Sequence, residues 1–338
     1  MKALFGTDGI RARANVPPMD PETIFYLSAA AAEILHEEEQ KLAAERGKTL
    51  DFRPAIVIGR DTRVSGTMLE SAVSAAFTSR GVDVYTAGVI PTPGVSALVE
   101  ENSFIGGVVV SASHNPFADN GIKFFSSGGD KLSRDLETRI ESRFYERKCS
   151  REKEGSPLLG QSDGPQGSEL GRVIPYGKAL ESYCRRVSES VGGLRFDGLS
   201  VVVDCANGAA CYTTPQVLSD LGARVTVIND EPDGCNINEK CGSLHLDLAK
   251  SYLEEAQADL LVSHDGDADR ALFLDEQGGI VDGDHVLAIC AKHLFSSKEG
   301  KGRGEASLAA PPLVVSTVMA NLGLELALEK ISVALVRT

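Results

Sequence analysis

Short apolar runs alternate with polar loops and longer amphipathic stretches along this chain. The first series is an apolar run at 55–59, a polar loop and alanine-rich stretch at 60–79, and a second apolar run at 82–85. Strand-length runs separated by a helix-length stretch predict a βαβ unit, whose functional loop follows the carboxyl end of the strand. The same order recurs at 199–228 and 313–336. Such distant copies indicate three related α/β domains and not a short-period repeat.

Composition along the chain suggests where these domains begin and end. Residues 151–171 are rich in Gly, Ser and Pro and have no apolar period, which is typical of a linker or surface loop. We therefore assign domain I to 1–150, domain II to 172–277 and a third domain to 278–338. Within domain I, a helix start and good helix formers predict a helix over 20–46.

Charge and cysteine content exclude several classes of protein. The 338 residues carry a formal net charge of −14, which argues against nucleic-acid binding because that depends on many Lys and Arg contacts to phosphate. No apolar window is long enough to span a bilayer and no signal-peptide core opens the chain, so we expect a cytoplasmic protein with no membrane partner. The seven cysteines include no Cys-x-x-Cys pair. They fit free thiols, and Cys235, Cys241 and His245 lack zinc-finger spacing.

A polar cluster at 111–116 follows the apolar run at 106–110. It crowds two hydroxyls, an imidazole and a carboxamide into six residues, and Pro116 prevents a helix there. The pattern predicts a buried strand that carries polar groups to an exposed loop. From these six residues alone, an ordinary turn whose side chains satisfy backbone groups explains the cluster equally well. A second loop is predicted at 5–13, where glycines argue against a helix and which carries the two arginines Arg11 and Arg13. Arginines that are merely solvated explain this segment equally well.

An acidic cluster is the second candidate site. Asp265, Asp267 and Asp269 lie between predicted strands at 260–264 and 271–274. Three carboxylates within five residues repel one another unless a cation lies among them. Oxygen ligands on a short loop suit a hard ion such as Mg²⁺. The alternative is a solvated acidic turn, because charged loops are common.

An EF-hand calcium loop is a competing explanation of this acidic cluster. Glu276 falls at its twelfth position when Asp265 is the first. The sixth position is Arg270, where an EF-hand needs glycine, and both flanking segments are predicted strands instead of helices. The EF-hand interpretation therefore fails.

Together the two clusters favour phosphoryl transfer. In that chemistry a protein supplies mainly positioning and charge neutralisation around a nucleophile. Ser113 would be the nucleophile. The cationic or proton-handling side chains would be His114, Lys123, Arg11 and Arg270. No Gly-x-Ser-x-Gly surrounds the serine and no Gly-x-Gly-x-x-Gly follows a strand, which argues against an acyl-transfer hydrolase and a dinucleotide-binding fold.

The chain resembles the α-D-phosphohexomutases across nearly its whole length. The matching strings are FGTDGIRA at 5–12, GRDTRVSG at 59–66, SASHNPFADNGIKFF at 111–125, NINEKCGSLH at 236–245, DGDADR at 265–270, VDGDHVLAICA at 281–291 and STVMANLGLELAL at 316–328. The serine and metal strings identify the family, and the others favour glucosamine phosphate as the sugar. The resemblance implies repeated α/β domains with mixed sheets sandwiched by helices.

The resemblance also implies roles for individual residues. Ser113 would be the phosphoserine of the active enzyme. One Mg²⁺ per chain would lie beside its phosphate, held by Ser113, Asp265, Asp267 and Asp269. The other implied assignments are Arg11 and Arg270 for the serine phosphate, and Arg60 and Asn115 for substrate phosphate. Lys123 matches the residue that the family uses near the transferred proton, with His114 as the alternative, and the sequence does not rank them.

The implied reaction moves the phosphate of Ser113 to glucosamine 6-phosphate. The hexosamine 1,6-bisphosphate that results is an intermediate and activator, which turns round and returns its other phosphate to give glucosamine 1-phosphate. The implied partner is thus a small phosphorylated sugar, and the sequence is also compatible with a homodimer. A mannose or glucose phosphate on the same scaffold is the main alternative, because the sugar-gripping loop decides between them.

Two departures from the family pattern accompany the match. Ala268 stands where the metal loop commonly has glycine, which restricts φ but keeps all three carboxylates. Family members also continue through the rest of a third domain and through a fourth, and these carry the sugar-gripping and distal-phosphate loops. We therefore expect domain III to be partial, the fourth domain to be absent, and the chain to be C-terminally incomplete. A fragment that holds phosphate without turnover is the further alternative.

Overall fold

Two compact units make up the protein. The computed structural model describes residues 4–47, 49, 52–154, 164–296 and 312–338. The first unit is Met1–Ala271 and the second is Leu272–Thr338. The first unit contains two of the three predicted βαβ series, and the second contains the third.

The helices and strands follow the predicted order. The strands of the first unit are β1 (Ile10–Arg13), β2 (Ala55–Arg60), β3 (Asp83–Val89), β4 (Gly106–Val110), β5 (Asp119–Ser126), β6 (Val173–Pro175), β7 (Ser200–Asp204), β8 (Arg224–Ile228) and β9 (Leu260–His264). Its α-helices are α1 (Pro21–Glu45), α2 (Gly66–Thr78), α3 (Thr92–Glu101), α4 (Arg134–Glu154), α5 (Ala179–Ser190), α6 (Thr214–Asp220) and α7 (Leu246–Ala256). The remaining elements are β10 (Ala271–Asp275), β11 (Ile280–Val281), α8 (Gly283–Ser296), β12 (Leu313–Ser316), α9 (Leu322–Glu329) and β13 (Ala334–Arg337).

The first sheet is mixed, as predicted. Its strand order is β1-β5-β4-β2-β3-β6, with β2 parallel to β3 and β4, and with β5 antiparallel to β1 and β4. The loop predicted for residues 5–13 is therefore wrong in its second half, because Ile10–Arg13 forms an edge strand. Pairing with β5 gives hydrogen-bond partners to the backbone N–H and C=O groups of this segment, which would otherwise lack them. The pairing places Arg11 opposite Gly121.

Helices cover both faces of this sheet. Ile56 and Ile58 of β2 point into a core shared with α1, α2 and α4, whereas Val57 points into a core shared with α3. This alternation is the period of two expected of a strand buried on both faces. Close packing on the second face requires Gly107, since a Cβ there would lie 2.8 Å from Val99 Cγ2.

The helix predicted at 20–46 is α1. Asp20 caps it, because its Oδ1 accepts the backbone N–H of Thr23 at 3.0 Å, and Pro21 occupies the first turn where no N–H is needed. Buried Ile24 and Leu27 recur at helical spacing and turn this face toward the core.

The second sheet carries the later site loop. Strand β7 lies between β8 and β9 and runs parallel to both. The three carboxyl ends therefore lie at one edge, where Asp204 ends β7 and His264 ends β9. The helical segment between β7 and β8 is the short α6, preceded by a 3₁₀ turn at Ala209–Tyr212.

The assigned linker is only partly linker in structure. Helix α4 continues to Glu154, and residues 155–163 of the linker lie outside the described residues. Strand β6, which we assigned to domain II, pairs in parallel with β3 and extends the first sheet. The other domain boundaries stay predictions.

The second unit contains a βαβ series with its own small core. Strands β12 and β13 are parallel, and Leu324 and Leu328 of α9 pack with Val314 and Val333. Asn321 caps α9 by accepting the backbone N–H of Leu324 at 2.9 Å. Among the helices of the described residues, none combines the length and apolarity needed to cross a bilayer.

Candidate active site

The serine loop, residues 111–116, begins where β4 ends. It was predicted to be exposed, and this prediction is wrong for its central residue. Ser113 is fully buried, with 0% of its surface exposed. The reason is tertiary: its Oγ donates a hydrogen bond of 2.5 Å to Asp265 Oδ2, from a loop 152 residues further along the chain.

Ser113 also has an unusual backbone conformation. Its φ is +54°, in the left-handed region that L-residues other than Asn and Asp seldom adopt. Such residues persist where their surroundings over-determine them, and they cluster at functional sites. The neighbouring imidazole is close, with His114 Nδ1 3.4 Å from Ser113 Oγ.

The acidic loop, residues 265–270, lies between β9 and β10. Strands on both sides confirm that it is not an EF-hand. The carboxylates of Asp265, Asp267 and Asp269 each offer a ligand atom, and these atoms lie within 4.8 Å of one another. Ala268 takes φ of +53°, so the loop keeps the left-handed turn that glycine would adopt freely.

The crowding of buried negative charges in the acidic loop favours a bound cation. Burial, and then the Asp267 carboxylate, raise the pKa of Asp265 to about 7. Asp267 is 1% exposed, and its Oδ1 has no hydrogen-bond partner. An orphaned buried oxygen costs free energy that a bound ion would recover. An all-carboxylate donor set suits a hard divalent ion.

Lys123, on β5, contacts two carboxylates of the acidic loop and that of Asp8. Its Nζ lies 2.8 Å from Asp267 Oδ2, 3.4 Å from Asp269 Oδ2 and 3.2 Å from Asp8 Oδ2. Burial lowers the pKa of Lys123, but these carboxylates outweigh it and the net pKa is raised. Lys123 is therefore a cation in this arrangement.

His114 differs from Lys123 in its charge state. Burial lowers the pKa of His114, and the positive charges of Arg270 and Arg11 lower it further. An imidazole begins near 6.5, so His114 is neutral at pH 7 and can accept a proton. The structure thus places a neutral acceptor beside Ser113 and a fixed cation beside the acidic loop.

Arg11 and Arg270 line one open cleft of about 620 Å³. Its other lining residues are Leu4, Gly6, Thr7, Asp8, Gly9 and Asp269. Arg11 pairs with Asp8 through Nη2, while its Nε has no partner. The side chain of Arg270 is 55% exposed, with its Nε 3.8 Å from Asp269 Oδ1. The guanidinium group of Arg270 is therefore open to an anion in the cleft. That of Arg11 is largely engaged, because its Nη1 donates to the Ala112 carbonyl at 3.4 Å and its unpartnered Nε is buried.

Arg60 and Asn115 each bind another side chain. Arg60 Nε donates to Glu70 Oε2 at 3.0 Å, and Asn115 Nδ2 donates to Asp119 Oδ2 at 3.0 Å. Neither is among the residues that line the cleft. Their assignment to substrate phosphate stays a prediction.

Two residues of the site, Asp8 and Thr92, are not among those predicted from the sequence. Asp8 binds Lys123, Arg11 and Lys131 at once, and Thr92 Oγ1 donates to Asp267 Oδ2 at 2.6 Å. Asp8 lies within the matching string at 5–12, which could have singled it out. Burial raises the pKa of Asp8, but the positive charges and hydrogen bonds of Lys123 and Lys131 outweigh burial and lower this pKa to about 2.

The cysteines do not contribute a metal site in the described residues, where the three aspartates are the only set of His, Cys, Asp and Glu ligands that comes together. Cys235 is exposed, and Cys241 is buried. Burial raises the pKa of the Cys241 thiol to about 12, so it stays protonated.

Comparison with known proteins defines the family. Residues 2–150, 178–279 and 282–338 match the alpha/beta/alpha domains I, II and III of phosphoglucomutase/phosphomannomutase. The chain therefore belongs to the phosphoglucomutase/phosphomannomutase family, whose members include phosphohexomutases.

Individual relatives within this family have a more specific name. The chain is 42% identical to a phosphoglucosamine mutase from Syntrophomonas wolfei, over 98% of its own length and 67% of that protein. It is 44% identical to one from Desulforudis audaxviator, over 100% and 68%. A crystal structure of a phosphoglucomutase/phosphomannomutase family protein from Burkholderia thailandensis shares the fold, with a TM-score of 0.75, 20% identity, and coverage of 99% of this chain and 66% of that one. The chain spans about two thirds of the length of these relatives.

Proposed function

We propose that this chain is a phosphoglucosamine mutase, which interconverts glucosamine 6-phosphate and glucosamine 1-phosphate. The observation that carries the proposal is the 2.5 Å hydrogen bond from Ser113 Oγ to Asp265 in a loop of three clustered carboxylates. Curated relatives of that name at 42–44% identity support the choice of sugar.

Each part of the site has a role in this proposal. Ser113 carries the phosphate, and Asp265, Asp267 and Asp269 hold one Mg²⁺ beside it. When bound, the ion neutralises charge on the transferred phosphate. Thr92 orients Asp267 through its 2.6 Å hydrogen bond. The positive charge of Lys123 offsets part of the negative charge of the buried carboxylates.

Proton transfer is divided between two residues in the proposal. His114 is neutral and its Nδ1 lies 3.4 Å from Ser113 Oγ, so it can accept a proton from a hydroxyl that attacks the phosphoserine. Lys123 is a cation and can return a proton or stabilise negative charge. Arg270 binds the phosphate in the cleft through its exposed guanidinium group, and the positive charge of Arg11 on the same cleft wall attracts it.

A hexosamine 1,6-bisphosphate links the two halves of the reaction. Phosphate leaves Ser113 for the free hydroxyl of the sugar, and the bisphosphate then presents its other phosphate to the Ser113 hydroxyl. One P–O bond forms and one breaks in each half, so the enzyme ends with its phosphate restored. The 620 Å³ cleft is large enough for a phosphorylated hexose.

Phosphorylation of Ser113 tests the transfer centre. Intact-mass measurement of protein incubated with glucosamine 1,6-bisphosphate and Mg²⁺ should give one phosphate per chain. Ser113→Ala should carry none, and the matched control Ser251→Ala, on α7, should carry one. Phosphate retained in Ser113→Ala would assign the nucleophile to another residue.

A substrate comparison tests the sugar. Coupled assays with Mg²⁺ and the 6-phosphates of glucosamine, mannose and glucose should give the largest kcat/KM for glucosamine 6-phosphate. Equal turnover of all three, or preference for mannose or glucose, would favour the other members of the family. Phosphorylated Ser113 without turnover of any sugar would identify a centre that holds phosphate but does not complete the cycle.

A further inference from the structure

A buried ion pair lies beneath the serine loop. Asp61 and Arg63 belong to the polar loop after β2, and both side chains are 0% exposed. Arg63 Nε lies 2.8 Å from Asp61 Oδ2, and Asp61 Oδ1 accepts the Arg63 backbone N–H at 3.0 Å. Burying two charges is costly unless every remaining donor and acceptor finds a partner. The other contacts of this pair therefore indicate its role.

The remaining N–H groups of Arg63 all go to backbone carbonyls of residues 113–119. The acceptors are the carbonyl oxygens of Ser113 at 2.9 Å, Asn115 at 2.8 Å, Asp119 at 3.1 Å and Pro116. With Asp61 these partners use all five donors of the guanidinium group. Arg63 thus has no donor left for a phosphate and acts on the backbone of the loop.

The acidic partner holds the other side of the same serine. Ser111 Oγ donates to Asp61 Oδ2 at 2.6 Å and accepts the backbone N–H of Ser113 at 2.9 Å. The N–H and the carbonyl of Ser113 are therefore both tied to one ion pair, the first through Ser111 and the second through Arg63. These are the groups whose orientation defines φ and ψ at Ser113.

We propose that Asp61 and Arg63 form a positioning pair that fixes Ser113 in its left-handed conformation and thereby aims Oγ at the acidic loop. The catalytic consequence rests on the proposed phosphoryl transfer, whereas the ordering of the loop does not. Neither residue touches the substrate. Misplacing a nucleophile by about 1 Å can cost about a hundredfold in rate.

Arg63→Lys is the main test. Lysine keeps a positive charge opposite Asp61 but offers three donors on one atom in place of a five-donor fork. We expect backbone amide hydrogen exchange within residues 113–119 to become at least about tenfold faster. We also expect kcat for glucosamine 6-phosphate to fall about a hundredfold with KM unchanged, since ground-state binding of the sugar is untouched.

Ser111→Ala is the second variant, and it tests the positioning role of the ion pair if Arg63→Lys does not fold. It cuts only the link between Asp61 and the Ser113 N–H, so faster exchange should be confined to Ser113 and its neighbours, with a smaller loss of kcat. Arg80→Lys is the matched control, because Arg80 lies outside the serine loop. Its Nε is 3.3 Å from Glu33 Oε1. It should change neither readout.

The outcomes separate this proposal from the proposed function. Wild-type exchange at residues 113–119 in both loop variants would overturn the positioning role, as would faster exchange with unchanged kcat. A wild-type chain without phosphoryl transfer would contradict the proposed function instead, and the exchange rates alone would then decide whether the pair orders the loop. A rise in KM that accounts for the whole loss of kcat/KM would also contradict positioning.

Discussion

One hydrogen bond joins the serine loop to the acidic loop, but the two loops differ in how many of their polar groups have partners within the protein. In the serine loop, the N–H, carbonyl and hydroxyl of Ser113 all have protein partners. In the acidic loop, Asp267 Oδ1 is buried without a partner and the pKa of Asp265 is raised to about 7.

This difference shows which part of the site the polypeptide completes by itself. The backbone that carries Ser113 is held by hydrogen bonds within the protein. The acidic loop keeps like charges together at a cost in stability, which is acceptable where a bound cation recovers it. Lys123 offsets only part of the cost, because one ammonium group serves three carboxylates.

Removing a carboxylate from the acidic loop should have the largest effect. We expect Asp267→Ala to lower phosphoryl transfer by at least about a thousandfold, since the ion that neutralises the phosphate loses a ligand. Circular dichroism should show an intact fold. Activity close to wild type, with unchanged Mg²⁺ dependence, would contradict the assignment of Asp267.

Mg²⁺ should stabilise the wild-type protein, because it binds a site that exists only in the folded state. At a concentration about a hundredfold above Kd, the gain is about 2.7 kcal/mol. Denaturant unfolding with and without MgCl₂ measures it. Asp267→Asn should lose most of this gain, whereas Asp259→Asn, outside the acidic loop, should retain it. Equal stabilisation of Asp267→Asn would place the ion elsewhere.

The metal-free protein should become less stable as pH rises toward neutrality. The folded pKa of Asp265 is about 7, above its ordinary value of 3.8, so the folded state binds its proton more tightly than the unfolded state does. The stability from this group is complete below the unfolded pKa and is lost as pH rises through about 7. Between about pH 5 and about pH 7, we expect a loss of about 2 kcal/mol in the presence of a chelator.

Asp265→Asn supplies the comparison for this pH effect. Its stability should vary less between about pH 5 and about pH 7, because the amide does not titrate there. Urea unfolding across this range gives both curves. Parallel curves for the variant and the wild type would show that Asp265 does not titrate near neutrality.

The smallest expected effect concerns Ala268. With φ of +53°, Ala268→Gly should relieve backbone strain and raise the free energy of unfolding by up to about 1 kcal/mol. Ala256→Gly, at the end of helix α7, should instead lower it by up to about 1 kcal/mol. Destabilisation by Ala268→Gly would indicate that its methyl group packs usefully.

Much of the fold follows from local pattern. The strands β2, β4, β7 and β9 lie within a residue or so of their predicted positions, because each is a short apolar run bounded by polar or glycine residues. Strand β5 was not predicted. Its NGIKFF segment begins with Asn-Gly, a dipeptide typical of turns, and mixes a lysine with apolar residues, so pairing with β4 decides its conformation.

The site was predictable to the same extent. The three aspartates could be chosen from the sequence, because clustered carboxylates are an unusual local pattern. Ser113 could be chosen only together with this acidic cluster and the family resemblance, because an ordinary turn explains its own segment equally well. Asp61 and Arg63 lie in the matching string at 59–66, but nothing in the sequence marks them as buried. An arginine that ends fully buried looks the same in sequence as one on the surface, and only its partners distinguish the two.

By itself, the sequence determined the order of the βαβ units, the acidic loop and the identity of the candidate nucleophile, since these depend on spacing within short segments. Only the tertiary structure decided that Ser113 is buried, that Lys123 is a cation among carboxylates and that an ion pair orders the serine loop. The physical reason is separation along the chain. Each of these contacts joins residues at least 50 positions apart, and burial at such contacts sets both conformation and charge state.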